Sequence, residues 1–379
     1  MRGPWLAGVG LTPFGRQPGR SVLDWQAVAA HDALDDAGVA PRQVDAVLAG
    51  YATTTGHLMP ADLLAEHLGA RPDIAYGMSV GGATGLAMVA AAARLIEAGD
   101  AEVVLVAAGE DRASGQSTDT STRTLAQVGH REHEVPVGAT VPAYYALLAS
   151  RYLAEHGLEP ADLAPFAVQM RAHAAAVDGA HFRSPITVAD VGSSARIAEP
   201  LRLLDCCPVS DGGAAFVVTA GPPRDVGVRI AGVGEAHRHQ HVSEADFDDF
   251  GARRCAGQAL DRAGRGVSDI DIAGVYDSFT ITVALLLEEI GFSAPGRSGA
   301  DVAAGRFDRA GALPLNTHGG LLSYGHCGVA GGMAHLVEVV TQLRRAAGGR
   351  QVAGRPRTGF VHADGGVLSS HVSVVVEAA

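Results

Sequence analysis

The sequence contains no lysine; all 29 of its basic residues are arginine. Catalysis through a lysine Schiff base is therefore excluded, and with it lysine aldolases and pyridoxal enzymes. A phosphate-binding P-loop would lack its lysine as well. Cysteine is scarce: Cys206, Cys207, Cys255 and Cys327 are the complete set, and no C-x-x-C pair occurs. A disulfide framework does not fit four such residues in a chain of 379. The ordinary role of each is a small buried apolar side chain. No apolar run is long enough to span a bilayer, since "AEVVLVAAG" is strand-sized and "GLAMVAAAARLIEAG" is short and carries Arg94 and Glu97. The N-terminal stretch "MRGPWLAGVGLTPFGR" has no long apolar core or cleavage site, so no signal peptide and a cytoplasmic location are expected. Basic tracts are missing too. With a net charge of −12, nucleic acid is not an expected partner.

What remains is a core-forming composition, 47% apolar and 18% charged, in a chain long enough for two domains or one large duplicated one. Duplication is visible. "ALDDAGVAPRQVDAVLAGY" (33–51) aligns with "ALDRAGRGVSDIDIAGVYD" (259–277) at a constant offset of 226 residues. Each copy reads as the end of an amphipathic helix, a glycine break, a polar turn and a β-branched strand. The period is too long for a solenoid and points to two related α/β halves, 1–225 and 226–379. Within the first half, helical and strand patterns alternate, and the run Val103–Ala108 suits a strand covered on both faces. Residues from about 112 to 201 read as an insertion carrying a helix pair and polar loops. "RIAGVGEAH" opens the second half; "RTGFVHADGG" and "SSHVSVVVEA" close it as strands.

Several short motifs bear on chemistry. "GMSVG" (77–81) fits the G-x-S-x-G nucleophile elbow and would make Ser79 an acyl acceptor. The pattern is short and the chain glycine-rich, so its specificity is low. "SVGGATG" places small residues at a helix start, where close backbone approach or anion binding is feasible. "VYDSFT" (275–280) ends the repeated strand, and ligands in open α/β sheets bind beyond strand C-termini. That puts Tyr276 in a position for acid–base work. "HRHQH" (237–241) lacks any catalytic zinc spacing and reads as a solvated loop; no metal site is expected. The densest signal is "NTHGGLLSYGHCGVAGGMAH" (316–335), with six glycines, three histidines and a cysteine leading into a helix.

Taken together, "LIEAGDAEVVLVAAGED", "FRSPITVADV", "EPLRLLDCCPVSDGGAA", "VYDSFT" and the 316–335 loop resemble the thiolase superfamily, in its sterol-carrier-protein/lipid-transfer branch, over nearly the whole chain. The resemblance implies a five-layered α-β-α-β-α fold of two duplicated halves, a homodimer, and acyl-CoA as substrate with no separate cofactor. It also implies that a small OB-fold/zinc-ribbon partner protein is plausible. The family carries its acyl group on a cysteine in a C-A-S/T-G motif at a helix start. The corresponding segment here is Gly82-Ala83-Thr84-Gly85, without a nucleophile. The second cysteine of the family falls at Ala363, and the His-Asp-Cys-Phe motif reads Tyr276-Asp277-Ser278-Phe279. Gly325-His326 keeps the Gly-His motif, but Cys327 follows where proline is usual. The sequence is also similar to cysteine-less thiolase-like aldolases that shorten steroid side chains attached to CoA, which share the tyrosine of Y-D-x-F-T. Their second catalytic tyrosine corresponds to His326. The resemblance thus implies retro-aldol cleavage of a β-hydroxyacyl-CoA by non-covalent acid–base catalysis. Tyr276 and His326 form the expected pair, Gly82 marks a vacant nucleophile pocket, and His318, Asp364 and Gly366 line the substrate site. Arginines must meet the CoA phosphates. Three alternatives stay open: an acyltransferase using Cys327 or Ser79, a serine hydrolase through Ser79, and a non-catalytic thiolase-like subunit.

Overall fold

A computed structural model describes residues 3–222 and 227–379. The expected boundary between the halves, after residue 225, lies outside the described residues. Nine strands form one sheet: β1 Trp5–Leu11, β2 Ala46–Gly50, β3 Ile74–Met78, β4 Val103–Asp111, β5 Asp211–Thr219, β6 Val228–His237, β7 Ile272–Val275, β8 Thr358–Gly365 and β9 Ser370–Ala378. Their order is β3-β2-β4-β5-β1-β6-β9-β8-β7. The run β2-β4-β5-β1 is answered by β7-β8-β9-β6. In both runs the first two strands are parallel and the third is antiparallel to its neighbours. The duplication seen at offset 226 therefore reappears as a repeated strand order. Among the described residues, only the pairs Trp5–Arg229 and Leu6–Val228 join the two runs.

The helices that matter for the site are α1 Val22–Ala37, α2 Thr84–Ala98, α3 Val141–His156, α4 Ala164–Ala174, α5 Ala252–Ala263, α6 Thr280–Ile290 and α7 Met333–Leu343. Local signals set their ends. Ser21 and Asp24 form a capping box at the start of α1, and Gly38 closes it at φ 65°. α1 covers the outer face of the first run of strands and α5 that of the second. α2 and α7 lie between the runs and touch both. The result is the expected α-β-α-β-α layering. The two central helices meet at Gly85, where a Cβ would stand 2.1 Å from Met333 Cγ. α2 is mostly apolar, as a helix covered on all sides tends to be, whereas α7 also buries His335, Glu338 and Gln342, with Glu338 hydrogen-bonded to Thr317 and Gln342.

The 112–201 segment adds α3 and α4, which pack against α6 of the other half. It also forms a short helix, Thr118–Ala126, that the hydrophobic pattern does not announce because only Ser121 on it is buried. One expectation needs correction. "HRHQH" is not a solvated loop throughout: His237 ends β6, and His239 is buried, with Nε2 on the Val367 carbonyl at 3.0 Å. Its ring is drawn in by the turn between β8 and β9, a contact no local pattern encodes.

Candidate active site

Tyr276 is the first residue after β7, and Asp364 is near the end of the adjacent parallel strand β8. Parallel pairing delivers both to the same sheet end, and the Tyr276 N–H donates to the His362 carbonyl at 3.0 Å. On its other side, β7 is completed by a side chain. Asn316 Oδ1 accepts from the Val275 N–H and its Nδ2 donates to the Val275 carbonyl, both at 2.8 Å. Asn316 sits at φ 46°, a conformation asparagine tolerates better than most residues. Asp277 accepts the Leu321 N–H at 2.7 Å and so ties the Gly320–Ser323 turn to the Tyr276 strand end. Gly320 is required there: at φ 59°, a Cβ would lie 2.0 Å from an Asp277 oxygen.

The glycine loop brings His326 against the phenol, with Nε2 2.7 Å from the Tyr276 hydroxyl oxygen and the rings nearly perpendicular at 86°. The Gly328 N–H donates to His326 Nδ1 at 3.1 Å. Burial, with Arg112 adding to it, lowers the imidazole to about 3, so the ring is neutral. A neutral ring whose Nδ1 accepts carries its proton on Nε2, and that proton points at the tyrosine oxygen. The phenol's own proton is left to serve another acceptor. Burial first, and Asp364 second, push Tyr276 well above the usual phenol range. Burial raises Asp364 to about 7, against the opposing pull of Tyr145 and the Leu368 backbone. Tyr145 on α3 stacks on Phe279 with ring centres 4.4 Å apart, and its hydroxyl donates to Asp364 Oδ2 at 3.3 Å.

These groups open on a chamber of 280 Å³. Its wall includes Gly82, Tyr276, His326, Asp364 and Gly366, five of the six residues expected from sequence. The rest is mostly apolar, with Val141, Ile197, Leu203 and Val209 among the lining residues. A larger space of 900 Å³ shares Arg112, Leu125, Val141, Pro142, Ile197 and Val209 with it. The sixth residue, His318, does not line the chamber. It is 1% exposed and packs behind the wall between Tyr324 and His335, with no hydrogen bond to either ring nitrogen among the described residues. The glycine turn that follows it folds the chain inward, so the imidazole faces the core.

At Gly82 the neighbours define the chemistry. A Cβ there would be 2.0 Å from the Tyr276 hydroxyl oxygen and 2.5 Å from the Asp364 main-chain carbonyl oxygen. The space a nucleophile would need is filled by the phenol. Neither substitute nucleophile is placed to act. Cys327 is fully buried, outside the lining, and burial with Glu110 nearby pushes its thiol up. Ser79 is exposed and hydrogen-bonds to no histidine or carboxylate among the described residues. Three site residues escape the sequence reading. Tyr145 looks like one more aromatic on a helix, and Asn316 like a loop residue. Arg112 directly follows β4, so the strand-end rule that singles out Tyr276 applies to it equally.

Comparison with known proteins agrees with this architecture. The thiolase N-terminal domain family matches residues 7–221, and the thiolase C-terminal domain-like family matches 234–378. An acetyl-CoA acetyltransferase of Methanothermobacter thermautotrophicus is 32% identical over 383 residues, covering 97% of each chain. A steroid side-chain-cleaving aldolase of Thermomonospora curvata is 32% identical over 358 residues, covering 88% of this chain and 89% of that protein. The solved structure of an Ltp2-ChsH2(DUF35) aldolase superposes with a TM-score of 0.85 at 30% identity, over 99% of this chain and 98% of that one. A duplicated α-β-α-β-α fold, a site at its strand ends and these matches along the whole chain make this protein a member of the thiolase superfamily.

Proposed function

We propose that this protein is a carbon–carbon lyase that cleaves a β-hydroxyacyl-CoA thioester by a retro-aldol reaction without an acyl-enzyme. The observation that carries the reading is the Tyr276 hydroxyl standing where a residue-82 nucleophile would be, held there by His326 at 2.7 Å. The relatives include both acetyltransferases and aldolases, and this substitution favours the aldolases. The apolar chamber and the larger space beside it suit a bulky acyl group, such as the steroid side chain named for the Thermomonospora relative.

In this reaction the Asp364 carboxylate takes the proton of the β-hydroxyl. The Cα–Cβ bond breaks, an aldehyde or ketone leaves, and the bonding pair passes onto the thioester as an enolate. Tyr276 gives its phenolic proton to the α-carbon. The His326 Nε2–H, already on the phenol oxygen, stabilises the phenolate that results, and the proton on Asp364 returns to the tyrosine. His326 thus works as a fixed donor to Tyr276 and keeps its own proton at neutral pH. Turnover rises with pH as Asp364 ionises through about 7.

Two assemblies belong to this reading. A homodimer is supported by the edge strand β3, whose Tyr76 is 57% exposed, and by the neighbouring exposed Leu58 and Met59. A small OB-fold/zinc-ribbon partner is supported by the solved Ltp2-ChsH2(DUF35) relative, in which an aldolase is paired with a DUF35 protein. The test is incubation with propionyl-CoA in D₂O, alone and with a co-expressed partner, following α-deuteration and intact protein mass together. Exchange without added protein mass, lost in Tyr276→Phe, is expected. An acyl adduct would shift the assignment to an acyltransferase, and absence of exchange under both conditions would remove the enolate chemistry.

A further inference from the structure

We propose that Arg112 is the receptor for the oxyanion of the thioester enolate, an inference that rests on the lyase reading above. Arg112 is 5% exposed, yet its only hydrogen bond among the described residues is from Nη2 to Ser121 at 3.5 Å, and its Nε has no partner there. No carboxylate lies within ion-pair distance of it among the described residues. Glu110, two residues earlier, feels the Arg112 charge through space but makes its hydrogen bonds elsewhere: its two oxygens accept from Thr53 and from the Val329 N–H. Other sheltered arginines are held through their terminal nitrogens, although Arg309 and Arg344 also have a buried Nε without a partner among the described residues. Arg171 donates to Ser323 and Ser184 and lies over the Phe182 ring, and Arg344 pairs with Asp36 and two main-chain carbonyls. A guanidinium has five donors, and burying it without partners costs several kcal/mol. A structural arginine would not be left in that state; a receptor would.

Position and rigidity point the same way. Arg112 lines both the chamber and the larger space beside it, and among the described residues lining the chamber it is the one cationic side chain. His326 cannot take the oxyanion, because its Nε2–H is committed to Tyr276 and its Nδ1 accepts. The backbone on either side of Arg112 is pinned. Glu110 is held as above, and Asp211 Oδ1 accepts the N–H groups of Ala113 and Ser114 at 2.7 and 3.1 Å. A preorganised cation in a mostly apolar chamber is worth most when charge develops on the ligand, and cleavage of the Cα–Cβ bond puts that charge on the thioester oxygen.

The experiment compares two ligands: acetyl-CoA, and its dethia carboxymethyl analogue, in which a carboxylate stands where the enolate oxygen forms. Affinities are measured by calorimetry for the wild type, Arg112→Met and Arg112→Lys, with circular dichroism to confirm folding. The wild type should prefer the carboxylate, Arg112→Met should lose about tenfold or more of that affinity with acetyl-CoA nearly unchanged, and Arg112→Lys should recover part of it. Should Arg112→Met fail to fold, Arg112→Lys decides, by a smaller loss confined to the carboxylate. Equal loss for both ligands, or no loss for either, overturns the proposal. A carboxylate preference that depends on Arg112, in a protein that never exchanges α-protons, would keep the anion receptor and remove the lyase.

Discussion

Replacing Gly82 by alanine asks whether Tyr276 truly occupies the nucleophile's place. The added Cβ would stand 2.0 Å from the phenol oxygen, 2.6 Å from its ring carbon and 2.5 Å from the Asp364 carbonyl oxygen. Non-bonded heavy atoms settle near about 3.5 Å, so the phenol must retreat by more than an ångström. Its 2.7 Å contact with His326 cannot survive that movement. Overpacking of this kind costs about 1–3 kcal/mol, and a buried hydrogen bond left unmade about 1–3 kcal/mol more. Together they give a loss of about 2–6 kcal/mol, readable as a shift of the urea midpoint. Displacement of a reacting group by about 1 Å slows chemistry by about 100-fold, so α-deuteration should fall by that order. Tyr276→Ala in the same chain removes the side-chain clash and leaves the carbonyl one. The double variant should therefore be more stable than additivity allows, by about 1–3 kcal/mol. A Gly82→Ala protein with wild-type stability and wild-type exchange, or a strictly additive double variant, would refute the reasoning.

Three further outcomes are expected. Asp364→Asn should abolish cleavage and raise stability. Asp364 binds its proton more tightly folded, at about 7, than unfolded, at 3.8, so wild-type stability declines as pH rises between these values. The variant's advantage in thermal midpoint should grow over that interval and level off above it, approaching a ceiling of about 4 kcal/mol at about 1.4 kcal/mol per tenfold. Asn316→Ala removes both hydrogen bonds to Val275 and places alanine at φ 46°, so it should cost about 2–4 kcal/mol in urea titration and lower kcat. Cys327→Ala should retain α-deuteration, and the native protein should protect Cys327 from a thiol reagent that labels the unfolded chain, since the thiol is buried.

The legible parts of this protein are those governed by period and by strand ends. Val103–Ala108 reads as a doubly covered strand because nothing polar interrupts it, and β4 is buried along its middle. Tyr276 is conspicuous because it closes a strand whose partner copy lies 226 residues earlier. What stays hidden depends on distant chain segments. Tyr145 reaches Asp364 across 219 residues, and the amphipathic pattern of α3 treats it as one more core aromatic. His318 and Asn316 sit in one glycine-rich stretch with similar local chemistry. One packs into the core and the other completes a strand, a difference decided by the fold of the loop. Arg112 is silent because its distinguishing feature is a lack of partners, which only the packed structure displays.

Two departures from the family pattern, glycine at 82 and tyrosine at 276, are physically one change. Family members with the thiolase cysteine need a Cβ at the start of α2, and Tyr276 forbids it by contact. Conversely, the phenol fits only because residue 82 has no side chain. Restoring cysteine alone would thus produce a displaced tyrosine before it produced a nucleophile. The choice between covalent acyl transfer and proton transfer is made at one strand end, where residue 82 meets the Tyr276 phenol. The rest of the scaffold, including the glycine loop that carries His326, fits either chemistry. Overall similarity to an acetyltransferase at 32% identity therefore says little about which reaction runs here, while two residues in contact say a great deal.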